Sequence, residues 1–199
     1  MRPEQHPLLH SATRIAAGDD RTRYDTFSIS LHWLTALLVI VQFVLAVTWG
    51  DFPRPTRHLM IVAHMSLGIV LTAVIAIRIV WRLTPGHAVP AATTGWVELA
   101  SKAVHYLLYA MLAAEAVLGF VLRWSGNESM SFFGLLMTPP MEPFSKPMHR
   151  LMGEIHEWNG WAIVILAAGH AAAALYHHYV LRDGVLGRML PSIRKRGLP

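Results

Sequence analysis

Four apolar runs, at residues 29–49, 60–81, 100–122 and 158–181, dominate this chain. Each holds about the ~20 residues that a helix needs to cross a hydrocarbon core. A backbone in lipid must satisfy its own hydrogen bonds, so such runs predict helices and not irregular structure. The expected fold is therefore an all-α integral membrane protein, a bundle of four transmembrane helices. Composition agrees: 54% of the 199 residues are hydrophobic and 15% charged, where a soluble domain carries about 25% charged residues.

Histidines interrupt these runs. His32 and His64 lie near the starts of the first two, and His156 and His170 on the last. An ionisable group at that depth is costly in lipid and marks a functional site by default. His156 and His170 are fourteen residues apart, which returns them to within about 40° of one helix face and separates them by about 21 Å along the axis. The first run leads across the membrane and the second leads back, so matching by depth pairs His64 with His156 and His32 with His170. His177 lies about 20° off the face of His170 and ~10 Å further along, so depth alone also allows it as the partner of His32.

The chain has no cysteine, which excludes disulfides, thiolate-held clusters and covalent haem attachment. Paired imidazoles at two depths point instead to two iron porphyrins, held without covalent bonds. Small residues beside the histidines, Gly68 one turn after His64 and Gly169 with Ala171, Ala172, Ala173 and Ala174 around His170, leave room for a flat macrocycle. Close helix packing uses the same residues.

The net charge of +5 follows topology and does not indicate nucleic-acid binding. Arg2, Arg14, Arg21, Arg23, Arg78, Arg82, Lys102, Arg182, Arg188, Arg194, Lys195 and Arg196 fall on one side of the four runs; Arg54, Arg57, Arg123, Lys146 and Arg150 fall on the other. The richer side is expected to be cytoplasmic, with both termini. Residues 1–24 read as a polar extension, not a secretory signal, residues 25–190 as the membrane domain, and residues 191–199 as a basic tail. The five cations of the other side, with His58 and His149, outnumber Asp51, Glu128, Glu142 and Glu154 and form a candidate surface for steering a small anion.

The segments YDTFSISLHW (24–33), AHMSLG (63–68), RIVWRL (78–83) and GHAAAALYHHYV (169–180), followed by Arg182-Asp183-Gly184 and Arg188-Met189-Leu190-Pro191, together resemble the prokaryotic cytochrome b561 family. The resemblance runs from about Tyr24 to the C-terminus. It implies a four-helix bundle in the bacterial inner membrane enclosing two b haems, with His32, His64, His156 and His170 as axial ligands. It places His177 and His178 near a quinone pocket as candidate proton donors. His105 matches a family position that is not a ligand, suited to a propionate or a quinone. Glu115 departs from the family pattern, which is apolar there; a mid-membrane carboxylate must face the bundle.

Some members resemble superoxide:ubiquinone oxidoreductases, and others are haem subunits of dehydrogenases or hydrogenases. The expected function is oxidation of periplasmic superoxide and reduction of ubiquinone, with electron transfer for a partner redox protein as the alternative. A metal-ion transporter lined by His32, His64 and His170 is disfavoured, because carboxylates that would share a hard cation are nearly absent from the runs.

Overall fold

The computed structural model describes residues 23–85 and 89–190. Most of the expected polar extension and all of the basic tail lie outside these residues. Four long helices, α1 (Thr26–Thr48), α2 (Arg54–Leu83), α3 (Gly95–Ser125) and α4 (Lys146–Tyr176), form the bundle, and each is long and apolar enough to cross a membrane. The chain is a multi-pass membrane protein. Large apolar side chains point outward, as at Ile165 (68% exposed) and Val117 (61%), which only a lipid surround makes favourable.

Local chemistry sets the helix ends. Asp25 caps α1, accepting hydrogen bonds from the Ser28 amide at 2.9 Å and the Ser28 hydroxyl at 2.6 Å. Pro55 and Pro147 sit in the first turns of α2 and α4, where a missing amide hydrogen costs nothing. Arg57 reaches back to the carbonyls of Trp49 and Gly50 (3.2 and 2.9 Å), closing the short turn between α1 and α2. α4 runs on into a wider turn, His177–Leu181, which ends at Arg182 with φ 55°.

The long link between α3 and α4 departs from the sequence reading. Residues 124–155 read as one loop, but α4 already begins at Lys146 and the link folds as a hairpin, β1 (Met130–Phe132) against β2 (Leu135–Met137). Met148, Leu151, Met152 and Ile155 recur at helical spacing, yet Lys146, Arg150 and Glu154 interleave them and depress the hydropathy that marks a span. Phe133 and Gly134 both take positive φ (47° and 95°), as a two-residue type I′ hairpin turn requires.

Ser66, 1% exposed, fastens this hairpin to α2: its hydroxyl donates to the Val62 carbonyl at 2.8 Å and accepts from the Phe133 amide at 2.9 Å. At the opposite end, Trp33 donates to the Met189 carbonyl (2.8 Å), Arg23 to that of Gly187 (3.1 Å) and Arg188 to that of Pro90 (2.7 Å). The last described residues are thereby folded back onto α1 and the α2–α3 link. We call this the proximal end and the hairpin end distal. Between them Ile75, Leu112 and Ile163, packed with Val39, Leu71, Ile79 and Met111, form an apolar layer.

Candidate functional site

Helix geometry brings the four span histidines together in two pairs. His64 and His156 are each ten residues into their helices from the distal end, while His32 and His170 are each six residues from the proximal end. The His64 and His156 ring centroids are 6.4 Å apart with planes at 86°, and those of His32 and His170 are 6.4 Å apart at 69°. Two imidazole nitrogens each about 2 Å from one metal ion, with the ring radius added on both sides, give a spacing of about 6 Å. Each pair therefore leaves the gap that one axially held metal needs. His156 precedes the fourth apolar run by two residues, yet it lies nearly three turns inside its helix.

The distal pair lines a cavity of about 860 Å³, at the upper end of the range for small-molecule and cofactor sites. Gly68, Gly119 and Gly160 border it. A Cβ at Gly119 would stand 3.5 Å from His156 Cε1, and one at Gly68 only 2.9 Å from Gln42 Nε2. That second glycine lets the Gln42 amide cross to α2 and donate to the His64 carbonyl at 2.9 Å. In return His64 Nδ1 donates to the Gln42 carbonyl at 3.2 Å. A carbonyl only accepts, so the proton is on Nδ1 and Nε2 remains free as a ligand atom. Trp49 packs edgewise on the same ring at 5.3 Å.

His156 meets a different neighbour. Its Nδ1 is buried and lies 3.2 Å from Glu115 Oε1, without the alignment of a hydrogen bond. Asn159 donates to the other Glu115 oxygen at 2.7 Å and to the Met111 carbonyl at 3.0 Å. The expectation that Glu115 faces the bundle is met. Gln42 and Asn159 were not singled out from the sequence, although both carried a signal: a lone amide in an apolar run, and a polar residue one turn beyond a histidine.

The proximal pair is more open. The Arg78 guanidinium lies 3.4 Å from His32 Nδ1 and 5.2 Å from the Tyr109 ring. His105 donates from Nδ1 to the Ser101 carbonyl at 2.7 Å, and its ring stands 4.9 Å from that of His170. That distance is too short for a metal between the rings, so His105 flanks the pair. Gly169 meets open space, and Ala171, Ala172 and Ala173 are exposed. His177 hydrogen-bonds the Asp183 carboxylate; Asp183 is thereby held below the ordinary carboxylate range. His178 packs against Tyr179.

The candidate steering cations divide. Arg123 pairs with Glu128 at the cavity rim, and Arg57 is occupied by backbone carbonyls. Arg54, Lys146 and Arg150 are exposed and form no ion pair among the described residues. His149 is structural, hydrogen-bonded to Ser125 at 2.9 Å and packed where a Cβ on Gly126 would come within 2.8 Å of its ring. No three acidic or histidine side chains converge on a bare-ion site among the described residues.

Known proteins agree with this architecture. Residues 23–192 match the profile of the family described as prokaryotic cytochrome b561. The chain is 33% identical over 175 residues to cytochrome b561 homolog 1 of Escherichia coli K12, covering 85% of this chain and 97% of that one. It is 30% identical over 172 residues to cytochrome b561 homolog 2 of the same organism (84% and 91%). A Yersinia pestis protein named "Probable superoxide oxidase CybB" is 32% identical over 178 residues (88% and 98%).

Proposed function

The chain belongs to the prokaryotic cytochrome b561 family of transmembrane b-haem electron-transfer proteins, and from that premise we propose that it carries electrons from superoxide at its distal end to ubiquinone at its proximal end through two b haems. The observation that carries the reading is the pair of imidazole gaps, 6.4 Å each, stacked on one four-helix bundle. His64 and His156 would hold one haem, His32 and His170 the other. The free Nε2 of His64 and the glycine-bordered cavity that His64 and His156 line fit such a group. An iron held by two imidazoles has no open position for substrate, so each haem would supply outer-sphere one-electron transfer.

The protein's own residues then do three things. The latched Gln42–His64 pair fixes one ligand ring on the wall of the distal cavity. Arg54, Lys146 and Arg150 raise the local concentration of an approaching anion. At the proximal end His105, His177 and His178 would lie beside the quinone and supply its protons. Two superoxide anions each lose one electron and leave as dioxygen; one ubiquinone gains both electrons with two protons and leaves as ubiquinol. The proximal end faces the cytoplasm, because Arg78, Arg82, Lys102, Arg182 and Arg188 collect there. The superoxide step is supported by the name of the Yersinia relative.

Stopped-flow mixing with superoxide tests the reading. Rapid reduction of a haem band, followed by reoxidation with ubiquinone, is the expected result. A purified protein whose haem ignores superoxide would favour the second reading, service to a partner redox protein, which the exposed hairpin tip at Phe133 (70%) and Leu136 (67%) supports as a contact surface.

A further inference from the structure

The two imidazole pairs have unlike neighbours. Glu115 stands beside the distal pair, 3.2 Å from His156 Nδ1, and Arg78 beside the proximal pair, 3.4 Å from His32 Nδ1. One Glu115 oxygen accepts from Asn159, and the other faces the buried, unpartnered Nδ1 of His156. When Nε2 of that ring holds an iron, the ring's one hydrogen is on Nδ1, and Glu115 Oε1 at 3.2 Å is an acceptor within its reach. Gly160 keeps the approach open: a Cβ there would lie 3.3 Å from Glu115 Oε1. Asn159, three residues after His156 on α4, braces the carboxylate from the same helix face.

We propose that Glu115 is a positioning residue for the distal haem, which fixes the proton of His156 on Nδ1, strengthens that imidazole as a ligand and sets the distal haem at a lower reduction potential than the proximal one. The inference rests on the two-haem reading. A carboxylate behind a metal-bound imidazole increases ligand basicity and stabilises the oxidised, more positive iron. His64, whose Nδ1 faces only a neutral carbonyl, lacks that input. The Arg78 cation acts in the opposite sense at the proximal pair, favouring the added electron. The gradient this creates runs from distal to proximal, the direction in which a superoxide-derived electron must travel.

The test is a spectroelectrochemical titration of the holoprotein, with the haems assigned by His64→Ala and His32→Ala. Glu115→Gln keeps the shape and one acceptor oxygen but removes the charge. The distal potential is expected to rise by at least a tenfold change in the reduction equilibrium, 59 mV for a one-electron couple, with the proximal potential unmoved. Unchanged potentials in a fully loaded Glu115→Gln protein overturn the inference and leave Glu115 a structural acid. If that variant loads no distal haem, the unaltered Glu115 is read spectroscopically, comparing the distal haem in His32→Ala with the proximal haem in His64→Ala. The near-infrared charge-transfer band of the ferric distal haem should lie at higher energy; equal energies overturn the inference. Fewer than two haems in the wild type would fail the underlying reading, and this one with it.

Discussion

The two ends of the bundle hold their histidines by different means. At the distal end every ring has a fixed neighbour: His64 is latched to α1 through Gln42, His156 abuts Glu115, and the hairpin fastened by Ser66 covers the cavity. At the proximal end His170 has ring contacts with His32 and His105, Gly169 beside it meets open space, and Ala171, Ala172 and Ala173 are exposed. Under the proposed function the difference is useful: a site that takes electrons from a small anion gains from rigidity, and a site that hands them to a membrane-dissolved carrier gains from looser packing.

The sharpest way to break this comparison is to remove ligands. His64→Ala and His156→Ala should each reduce the pyridine-haemochrome count from two haems to one and spare the proximal band, while His32→Ala and His170→Ala should do the reverse. If His177→Ala abolished the proximal haem and His170→Ala spared it, the pairing would be wrong. Steric substitutions sharpen the contrast. Gly119→Leu should displace the distal haem because its Cβ already lies 3.5 Å from the His156 ring, whereas Gly169→Ala should leave both spectra intact. Ser66→Ala strands the Phe133 amide and should lower stability by about 1–3 kcal/mol, read by thermal unfolding in detergent.

Smaller effects concern charge. Neutralising Arg54, Lys146 and Arg150 together should slow reduction by superoxide at 0.01 M salt and have little effect once the Debye length falls from ~30 to ~10 Å at 0.1 M. Arg123→Gln alone should change the rate less, since Glu128 already compensates it. The smallest effect is at Asp183. Its carboxylate is held below the ordinary range by the His177 ring, and a depressed acid contributes stability only while ionised. The tie should therefore hold above about pH 4 and loosen as pH falls through the lowered value, seen as faster amide exchange in residues 182–190. Asp183→Asn should remove that dependence.

Much of this was legible in the sequence, for a physical reason: lipid permits few structures, so length and hydropathy located four helices, and polar groups inside them stood out. Helical rise alone matches the depths of His64 and His156, while at the other end it leaves His170 and His177 open and the family resemblance chooses His170. What stayed hidden depends on contacts between segments. The first turns of α4 escaped a hydropathy reading because Lys146, Arg150 and Glu154 interleave its apolar face. The division of the steering cations also could not be read, since nothing in the order of residues shows that Arg57 bonds to the backbone of the preceding turn or that Arg123 finds Glu128. Asn159 and Gln42 belong to the same class, with chemistry that depends on the helix opposite.

The layer of Ile75, Leu112 and Ile163 bears on electrical work. It offers water no hydrogen-bonding partner, and a water needs two to four of them to reside in a protein. Among the described residues these side chains offer no support to a file of water at that level, which disfavours a proton path through the middle of the bundle. Under the proposed function, an electron crosses this layer while no proton accompanies it. The charge moves alone through the membrane field, with or against about 2.3 kcal/mol for each 100 mV, so the transfer is electrogenic and the insulation of three aliphatic side chains ties the redox reaction to the membrane potential.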